Sequence, residues 1–210
     1  MVQAPRTYAK ARARTRDELS RAGAELILRK GFEAVRIEEI AEAAGVTRGT
    51  LYNHFKSKVE LLKERVRVLS DAEDWAPLRA RLLAEPDVAE QMFLSLVGLF
   101  DFCGRHRPLL RIYFKARIQE SVAGDFDDRS DNLQRLIEPI LAAGQKRGVV
   151  RNDLSAADLA GMFRFFFLRI VSAWTRGRGP DGARDPEPKA FRRHVRTTID
   201  LFLKGAQNGR

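Results

Sequence analysis

The sequence is poor in the residues that most often carry chemistry, with one cysteine and three histidines among 210 residues. Cys103 alone permits no internal disulfide, which fits a reducing compartment, and we expect a cytoplasmic protein. The sequence has no Cys/His spacing of a metal site, no glycine-rich phosphate loop and no nucleophile elbow. We therefore expect neither an enzyme nor a bound metal or cofactor. The one nucleophile–base pair left open is Cys103 with His106, which has no evident orienting partner.

Long apolar runs are also missing. The most apolar stretch, 162–174, is interrupted by Arg164 and Arg169. No segment approaches the roughly 20 apolar residues that cross a bilayer, and the first residues lack the apolar core of a signal peptide. Strand-like alternation and internal repeats are absent as well. Apolar residues recur instead at spacings of three and four, so the sequence predicts an all-α fold of about nine helices.

Positive charge is in excess, with a formal net charge of +10. A basic balance fits a nucleic acid or an anionic membrane as partner, and it also fits an arginine-rich genome. Its placement is more informative, because the sequence up to the first residue of the first predicted helix has five basic residues and no acid. The five are Arg6, Lys10, Arg12, Arg14 and Arg16. We predict that residues 1–15 form a disordered basic arm, which on DNA lies along phosphates or enters a minor groove.

Residues 37–58 predict two short helices, a tight turn between them and the start of a third helix. Ile37, Ile40, Ala41 and Ala44 share one helical face, and Gly45 follows where a positive φ ends a helix. Thr47 then caps a second helix, whose apolar stripe is Leu51 and Phe55. Ser57 caps the third helix, with Glu60 completing a capping box. Two helices joined by a short glycine turn are the geometry of a DNA-binding helix-turn-helix, and also of an ordinary helical hairpin.

The exposed side of the second helix favours DNA binding. Arginine can grip guanine O6 and N7, asparagine can pair with adenine, and a threonine methyl can touch thymine. Tyrosine, histidine and lysine can donate to phosphates. Such side chains follow in sequence as Arg48, Gly49, Thr50, Tyr52, Asn53 and His54.

The same residues resemble the signature of the TetR family of bacterial transcriptional regulators. The run is Ala41-x-x-Ala-Gly-Val-Thr-x-Gly-Thr-Leu-Tyr-x-His-Phe-x-Ser-Lys-x-x-Leu-Leu62, and the match extends back through Arg16, Ala24, Leu26, Ile27, Gly31 and Phe32. It covers the N-terminal third of the chain. The remaining two thirds resemble the family only in length, helical pattern and order of parts.

The resemblance implies a role for each matching position. Arg48, Gly49, Thr50 and Asn53 fall where family members meet base edges, while Thr47, Tyr52, His54 and Lys58 fall where they grip phosphate and sugar. Packing of Tyr52 and His54 against the next helix is an alternative that is compatible with these contacts.

The chain departs from the family pattern just before the first of these helices, where Thr-Thr is usual and Val35-Arg36 stands here. Arginine cannot accept from helix amides, so a cap that contributes about 1 kcal/mol is predicted to be missing. Arg36 either reaches a DNA phosphate or is simply solvated.

The predicted order of parts is the arm, a helix-turn-helix domain at 16–62, and an effector-binding and dimerisation domain at 63–210. The first helix is expected at 16–30, and the helix from Ser57 to about Glu73 leads out of the DNA-binding domain as a candidate lever. The segment between Pro77 and Pro86 is expected to be loose, and 123–129 and 177–188 are expected to be loops. Pro139 is expected inside a helix that Gly148 ends, and Ser155 is expected to cap the next helix.

The last two helices carry more apolar positions than a single core stripe needs. The resemblance implies that they form a four-helix interface in a homodimer; packing within one chain is the alternative. It also implies a pocket for a small effector. Candidate lining residues, which are otherwise ordinary core or surface, are Phe93, Phe100, Cys103, Tyr113, Phe114, Arg117, Phe163 and Phe167. Arg117 would meet a carboxylate or phosphate on a lipophilic ligand, and Cys103 is either a buried apolar residue or a thiol sensor.

The sequence thus predicts a homodimeric, TetR-like transcriptional repressor that a small, largely hydrophobic effector releases from a palindromic operator on double-stranded DNA. A non-specific, chromatin-like DNA-binding protein is the main rival. It would bind random duplex nearly as well as any single site.

Overall fold

The computed structural model describes residues 6–122, 132–175 and 188–206, and every regular element in these ranges is an α-helix. The all-α prediction is confirmed. The helices are α1 (Arg6–Lys30), α2 (Ile37–Ala43), α3 (Arg48–His54), α4 (Lys58–Asp71), α5 (Ala76–Ala84), α6 (Val88–Arg105), α7 (Arg107–Val122), α8 (Asn132–Lys146), α9 (Ala156–Thr175) and α10 (Pro188–Ala206).

The described residues divide into two compact units. The first holds 6–73 with 106–117, and the second holds 74–105, 118–122, 132–175 and 188–206. The predicted domain boundary between residues 62 and 63 lies within α4, which is a continuous helix. The first unit therefore keeps the whole of α4 together with the predicted DNA-binding helices.

The first unit is built around α1, which packs along α4 and against α2, while α2 packs on α3. Burial of apolar side chains is the main stabilising force here, because α2 and α3 have seven residues each and would not be stable as isolated helices. The fully buried side chains include one or more from each helix: Leu19, Ile27, Ile40, Leu51, Leu61 and Leu62, with Phe55 just after α3.

The first helix is longer than expected. It begins at Arg6 rather than Arg16, so the prediction of a disordered arm is wrong for residues 6–15. This stretch is rich in alanine, arginine and lysine, which have high helix propensity, and it contains neither glycine nor proline. Arg14 also pairs with Glu18 one turn later, at 2.9 Å, which favours the helix slightly. Residues 1–5 of the predicted arm lie outside the described residues.

In the second unit, α9 packs along α8, and α6 packs against α5, α8 and α10. Aromatic pairs hold the helices at their crossings. The Phe163 and Phe202 rings meet edge to face with centroids 5.0 Å apart, and Phe100 stacks on Phe191. These pairs add to the area buried between α9, α10 and α6.

The described ranges contain one helix more than the nine or so predicted. This additional helix is α5, which occupies most of the segment between Pro77 and Pro86 that was predicted to be loose. That prediction is wrong because Pro77 lies in the first turn of the helix, where a missing N–H costs nothing. Trp75 precedes it and contacts Phe102 on α6, with ring centroids 5.7 Å apart.

The other predicted boundaries are confirmed where they are described. Gly148 ends α8 with φ +72°, Pro139 lies inside α8, and the Ser155 hydroxyl accepts the Asp158 N–H at 3.0 Å to cap α9. The predicted loop at 123–129 lies outside the described residues, as does 177–188 up to Pro188, which begins α10. None of the helices in the described ranges is long and apolar enough to cross a membrane.

Candidate nucleic-acid interface

The corner between α2 and α3 has the predicted geometry. Gly45 takes φ +66°, which is strained for other residues, and the Val46 N–H closes the turn on the Ala41 carbonyl at 3.0 Å. The Thr47 hydroxyl accepts the Thr50 N–H at 3.1 Å and so caps α3. These contacts fix how α3 leaves α2, and they confirm the turn and the cap.

The two sides of α3 differ sharply in burial. Leu51 and the following Phe55 are at most 1% exposed and anchor the helix. On the outer side, Arg48, Gly49, Tyr52 and Asn53 are all exposed. The α3 helix therefore presents a polar and basic face to solvent, with an apolar edge fixed to the core.

The outer face is lightly held within the chain. The Arg48 side chain is 72% exposed, and its guanidinium lies 3.9 Å from the Glu38 carboxylate on α2, a pair that contributes little in water. A Cβ built on Gly49 would meet only the Thr47 hydroxyl, at 3.8 Å, which is an ordinary contact. The fold itself therefore leaves room for a side chain at position 49.

Thr50 and Thr47 already act within the fold, because their hydroxyls lie 2.9 Å apart beside the cap bond. His54, at the end of α3, is half-buried, and its Nδ1 is buried without a hydrogen-bond partner among the described residues. Burial lowers the pKa of His54, and the nearby Arg12 and Arg16 lower it further. At neutral pH the imidazole is therefore neutral, and it can offer a phosphate a hydrogen bond but not a positive charge.

The entry to α2 lacks a side-chain cap from Arg36, as predicted. The Glu39 carboxylate partly compensates by accepting the Arg36 N–H at 2.9 Å, and this bond, followed by the bond from Lys30, lowers the pKa of Glu39. Val35 is buried in the core and Arg36 is exposed. Compared with the usual Thr-Thr, Val35-Arg36 therefore lacks a side-chain cap but adds a buried apolar side chain and a solvent-exposed cation.

The Ser57 hydroxyl caps α4 by accepting the Glu60 N–H at 3.0 Å, as predicted. The reciprocal half of the capping box differs from the expected one. The Glu60 carboxylate accepts the Lys56 N–H at 2.7 Å, one residue before the cap. Glu60 thus holds the turn between α3 and α4.

Lys58, predicted to grip a phosphate, is held by the protein's own backbone. Its ammonium group donates to the carbonyls of Phe32 at 2.5 Å and Val35 at 2.8 Å, and it lies 4.4 Å from the centre of the Phe32 ring. These contacts tie the start of α4 to the loop between α1 and α2. An ammonium group has three N–H donors, and the two carbonyls use two of them. A phosphate could therefore accept only from the third.

We expect Lys58→Ala to lower the free energy of unfolding by about 1–2 kcal/mol, because two carbonyls of that loop lose a charged donor. Chemical denaturation measures this directly. Lys56→Ala is the matched control, because Lys56 is exposed and its side chain lacks these bonds; it should leave stability nearly unchanged. Unchanged stability in Lys58→Ala, with a shallower salt dependence of DNA binding, would instead place Lys58 on a phosphate.

The candidate effector residues are distributed over both units. Cys103, Phe163 and Phe167 are buried in the second unit, where Phe93 and Phe100 are half-buried. Arg196 lies 4.0 Å from the centre of the Phe93 ring. The half-buried Tyr113, Phe114 and Arg117 belong to the part of α7 in the first unit. The effector pocket stays a prediction for all eight residues.

Cys103 is a buried apolar residue in this structure, and burial raises the pKa of its thiol to about 12. Because the thiolate is the reactive form, we expect the native protein to react with a thiol reagent such as dithiobisnitrobenzoate far more slowly than the unfolded chain does. Absorbance at neutral pH, with and without denaturant, tests this. Rapid labelling of Cys103 in the native protein would instead support a role as a thiol sensor. The described residues contain no group of His, Cys, Asp and Glu side chains placed to hold a metal ion.

A second exposed surface was only partly recognised in the sequence. On α9, Met162, Phe165 and Phe166 are 48%, 67% and 46% exposed, and Leu201 on α10 is 63% exposed. The predicted excess of apolar positions on the last two helices indicated a second apolar face but did not say which residues form it. The spacing of three and four between residues 162, 165 and 166 was a usable signal for one helical face.

The fold and the corner together define a helix-turn-helix DNA-binding protein, and comparison with known proteins agrees. The family model described as "Bacterial regulatory proteins, tetR family" matches residues 19–64. The chain is 31% identical over 175 residues to the HTH-type transcriptional repressor KstR2 of Mycolicibacterium smegmatis, across 80% of this chain and 82% of that one. It is 27% identical over 149 residues to the repressor NicS of Pseudomonas putida, across 67% and 68% of the two chains. Among solved structures, Thermus thermophilus FadR in complex with lauroyl-CoA superposes with a TM-score of 0.63 at 25% identity, covering 93% of this chain and 96% of FadR.

The chain belongs to the TetR family of bacterial regulatory proteins. The predicted class of function, a helix-turn-helix transcriptional repressor that binds DNA, is confirmed. The relatives named above are transcriptional regulators rather than enzymes.

Proposed function

We propose that the chain acts as a homodimer that represses transcription by binding a palindromic operator. The α3 helix of each subunit would enter one of two successive major grooves, about 34 Å apart. The observation that carries this proposal is the exposed polar face of α3, which the Gly45 turn and the Thr47 cap hold on a buried apolar edge.

Within this interface we assign base-edge contacts to Arg48, Gly49, Thr50 and Asn53. The exposure of Arg48 and Asn53 and the open space at Gly49 support the assignment. Backbone contacts are assigned to Thr47, Tyr52, His54 and Lys58, with Arg36 as a further exposed cation close to the corner. For Lys58 the contact with the loop carbonyls comes first, and any phosphate contact is additional.

The dimer is proposed to form through α9 and α10. Their buried side chains, among them Phe163, Val195 and Ile199, belong to the core of one chain. The exposed side chains of Met162, Phe165, Phe166 and Leu201 then remain for a second copy. Exposed aromatic residues of this size are unusual on a surface that stays in water, which supports burial in a partner.

The effector is proposed to be a lipophilic acyl thioester. FadR, which is similar over most of its length, binds lauroyl-CoA. An apolar lining with a few polar groups suits an acyl chain, and a cationic side chain suits a phosphate of the coenzyme. An effector that favours a state with differently spaced α3 helices releases DNA by population shift, with α4 as the connecting lever.

The test begins with selection of bound sites from random DNA, followed by fluorescence anisotropy on the selected duplex. We expect a preference over random duplex of roughly 10³-fold or more, as for specific regulators. Lauroyl-CoA should then weaken operator binding about 5- to 150-fold. Laurate, coenzyme A and a non-ionic detergent with a twelve-carbon chain are the controls, and they should have much smaller effects.

Each part of the proposal fails separately. Equal binding of selected and random duplexes would indicate a chromatin-like protein. Specific binding that acyl thioesters of every chain length leave unchanged would assign the effector to another chemical class and leave the repressor proposal standing.

A further inference from the structure

Arg16 of α1 is the point where three helices of the first unit meet. Its Nη1 donates to the backbone carbonyl of His54, the last residue of α3. Its Nη2 lies 3.4 Å from a carboxylate oxygen of Glu64 and 3.6 Å from one of Glu60, both on α4. The guanidinium carbon lies 4.3 Å from the centre of the Phe55 ring. One planar cation therefore contacts the end of α3, the following turn and α4.

The end of α3 has a physical need for such a group. The helix has seven residues, and its last carbonyls have no partners within it. No glycine in a left-handed conformation follows, because Phe55 is extended at φ −140°. A cation that also donates a hydrogen bond satisfies one of these carbonyls and opposes the negative end of the helix dipole. Thr47 thus holds the start of α3, and Arg16 holds its end.

The other side of the Arg16 guanidinium is held by Glu64, a half-buried acid. The Glu64 side chain is 11% exposed and also bonds Arg67, at 2.7 Å and 3.4 Å. Burial opposes the charge on Glu64, but the bonds and charges of Arg67 and Arg16 outweigh it and lower its pKa. Glu64 therefore stays ionised at neutral pH, and Arg16 is held against α4 rather than turned outward; its side chain is only 24% exposed.

We propose that Arg16 is a positioning residue for DNA recognition, which sets the angle of α3 on the α1–α4 scaffold and so sets the preference for operator over random DNA. The proposal rests on α3 being the helix that reads DNA. Arginine is needed because its planar fork reaches the His54 carbonyl and the α4 carboxylates together. A lysine ammonium group carries the same charge but cannot span both in that geometry.

The test uses the full-length protein with Arg16→Lys, which preserves net charge. Dissociation constants are measured for the selected operator and for a random duplex of equal length, over a series of salt concentrations. We expect the ratio of the two constants to fall about tenfold, the size of one mismatched base pair. The slope of log affinity against log salt on random duplex should stay as in the wild type, because no phosphate contact is lost.

Glu64→Gln is the second variant, because it loosens Arg16 without altering any group that faces DNA. It should lower the same ratio, with random-duplex binding equal to or tighter than that of the wild type. Arg79→Lys is the matched control. Arg79 is an exposed arginine on α5 in the other unit, so the ratio should not change. Thermal melts by circular dichroism identify the temperature range in which all variants are folded.

Three results would overturn the proposal. If both variants melt earlier but keep the wild-type ratio when folded, Arg16 is only structural. If Glu64→Gln tightens operator and random binding equally, a released Arg16 contacts DNA directly. A changed salt slope in Arg16→Lys would also indicate direct contact. The reading role of α3 is checked in the same assay with Arg48→Ala, so its failure is distinguishable from failure of the Arg16 proposal.

Discussion

Phe165→Glu should convert the protein to a monomer and weaken operator binding about 10²- to 10⁴-fold, the gain normally obtained by linking two binding modules. Phe165 is 67% exposed on α9, beside Met162 and Phe166. A carboxylate at this position would be buried against its own copy in a two-fold interface, where an unpaired charge is costly. Sedimentation equilibrium gives the mass, and fluorescence anisotropy gives the operator affinity.

Leu83→Glu provides the matched control for this substitution. Leu83 is 89% exposed on α5, in the same compact unit, and the change in charge and polarity is of the same kind. This variant should remain a dimer with wild-type affinity. The opposite result, a dimeric Phe165→Glu and a monomeric Leu83→Glu, would place the interface on α5 and not on α9 and α10.

Arg48→Ala should weaken operator binding by about 1–3 kcal/mol and relax the preference at one base pair in each half-site. The side chain is 72% exposed and makes only a long contact with Glu38, so its removal should hardly change stability. Site selection with the variant shows which base pair loses its preference. Denaturant unfolding shows whether the protein remains as stable as the wild type.

Glu38→Gln is the informative companion to Arg48→Ala, because it removes the only carboxylate that the described residues place within 4 Å of the Arg48 guanidinium. Operator binding should be equal or somewhat tighter, since the arginine no longer leaves an ionic partner. A loss in Arg48→Ala that is the same for every DNA sequence would reassign Arg48 to a phosphate.

Features that depend on local chemistry were predictable from the sequence. The Gly45 turn and the caps at Thr47, Ser57 and Ser155 were expected from residue type and position alone, and the structure has all of them. Each rests on a contact within five residues, where spacing along the chain fixes spacing in the fold. The same holds for the buried edge of α3.

Two helix boundaries were wrong because the competing signals were weak. Terminal position and basic charge favour a disordered arm at residues 6–15, whereas helix propensity favours the helix that the structure has there. Proline in a helix interior breaks the helix, which favours a loose segment at Pro77, but in a first turn proline fits the helix.

Contacts between distant segments were not predictable from patterns. Arg16 reaches a carbonyl 38 residues away, and Lys58 reaches back 26 residues to Phe32. A helical period does not reveal contacts at these sequence separations. From the sequence alone, both side chains resemble ordinary surface cations. For Lys58, the predicted phosphate contact left out the loop carbonyls that the structure brings to its ammonium group.

The light anchoring of α3 has a consequence for how such a protein changes over evolutionary time. Folding of α3 depends on Leu51, Phe55 and the Thr47 cap, whereas residues 48, 49 and 53 have few ties to the rest of the chain. Substitutions at these three positions should therefore be nearly neutral for folding, and with the proposed base contacts they would alter base preference. A duplicated gene could drift to a new operator at these sites without first acquiring compensating mutations in its core.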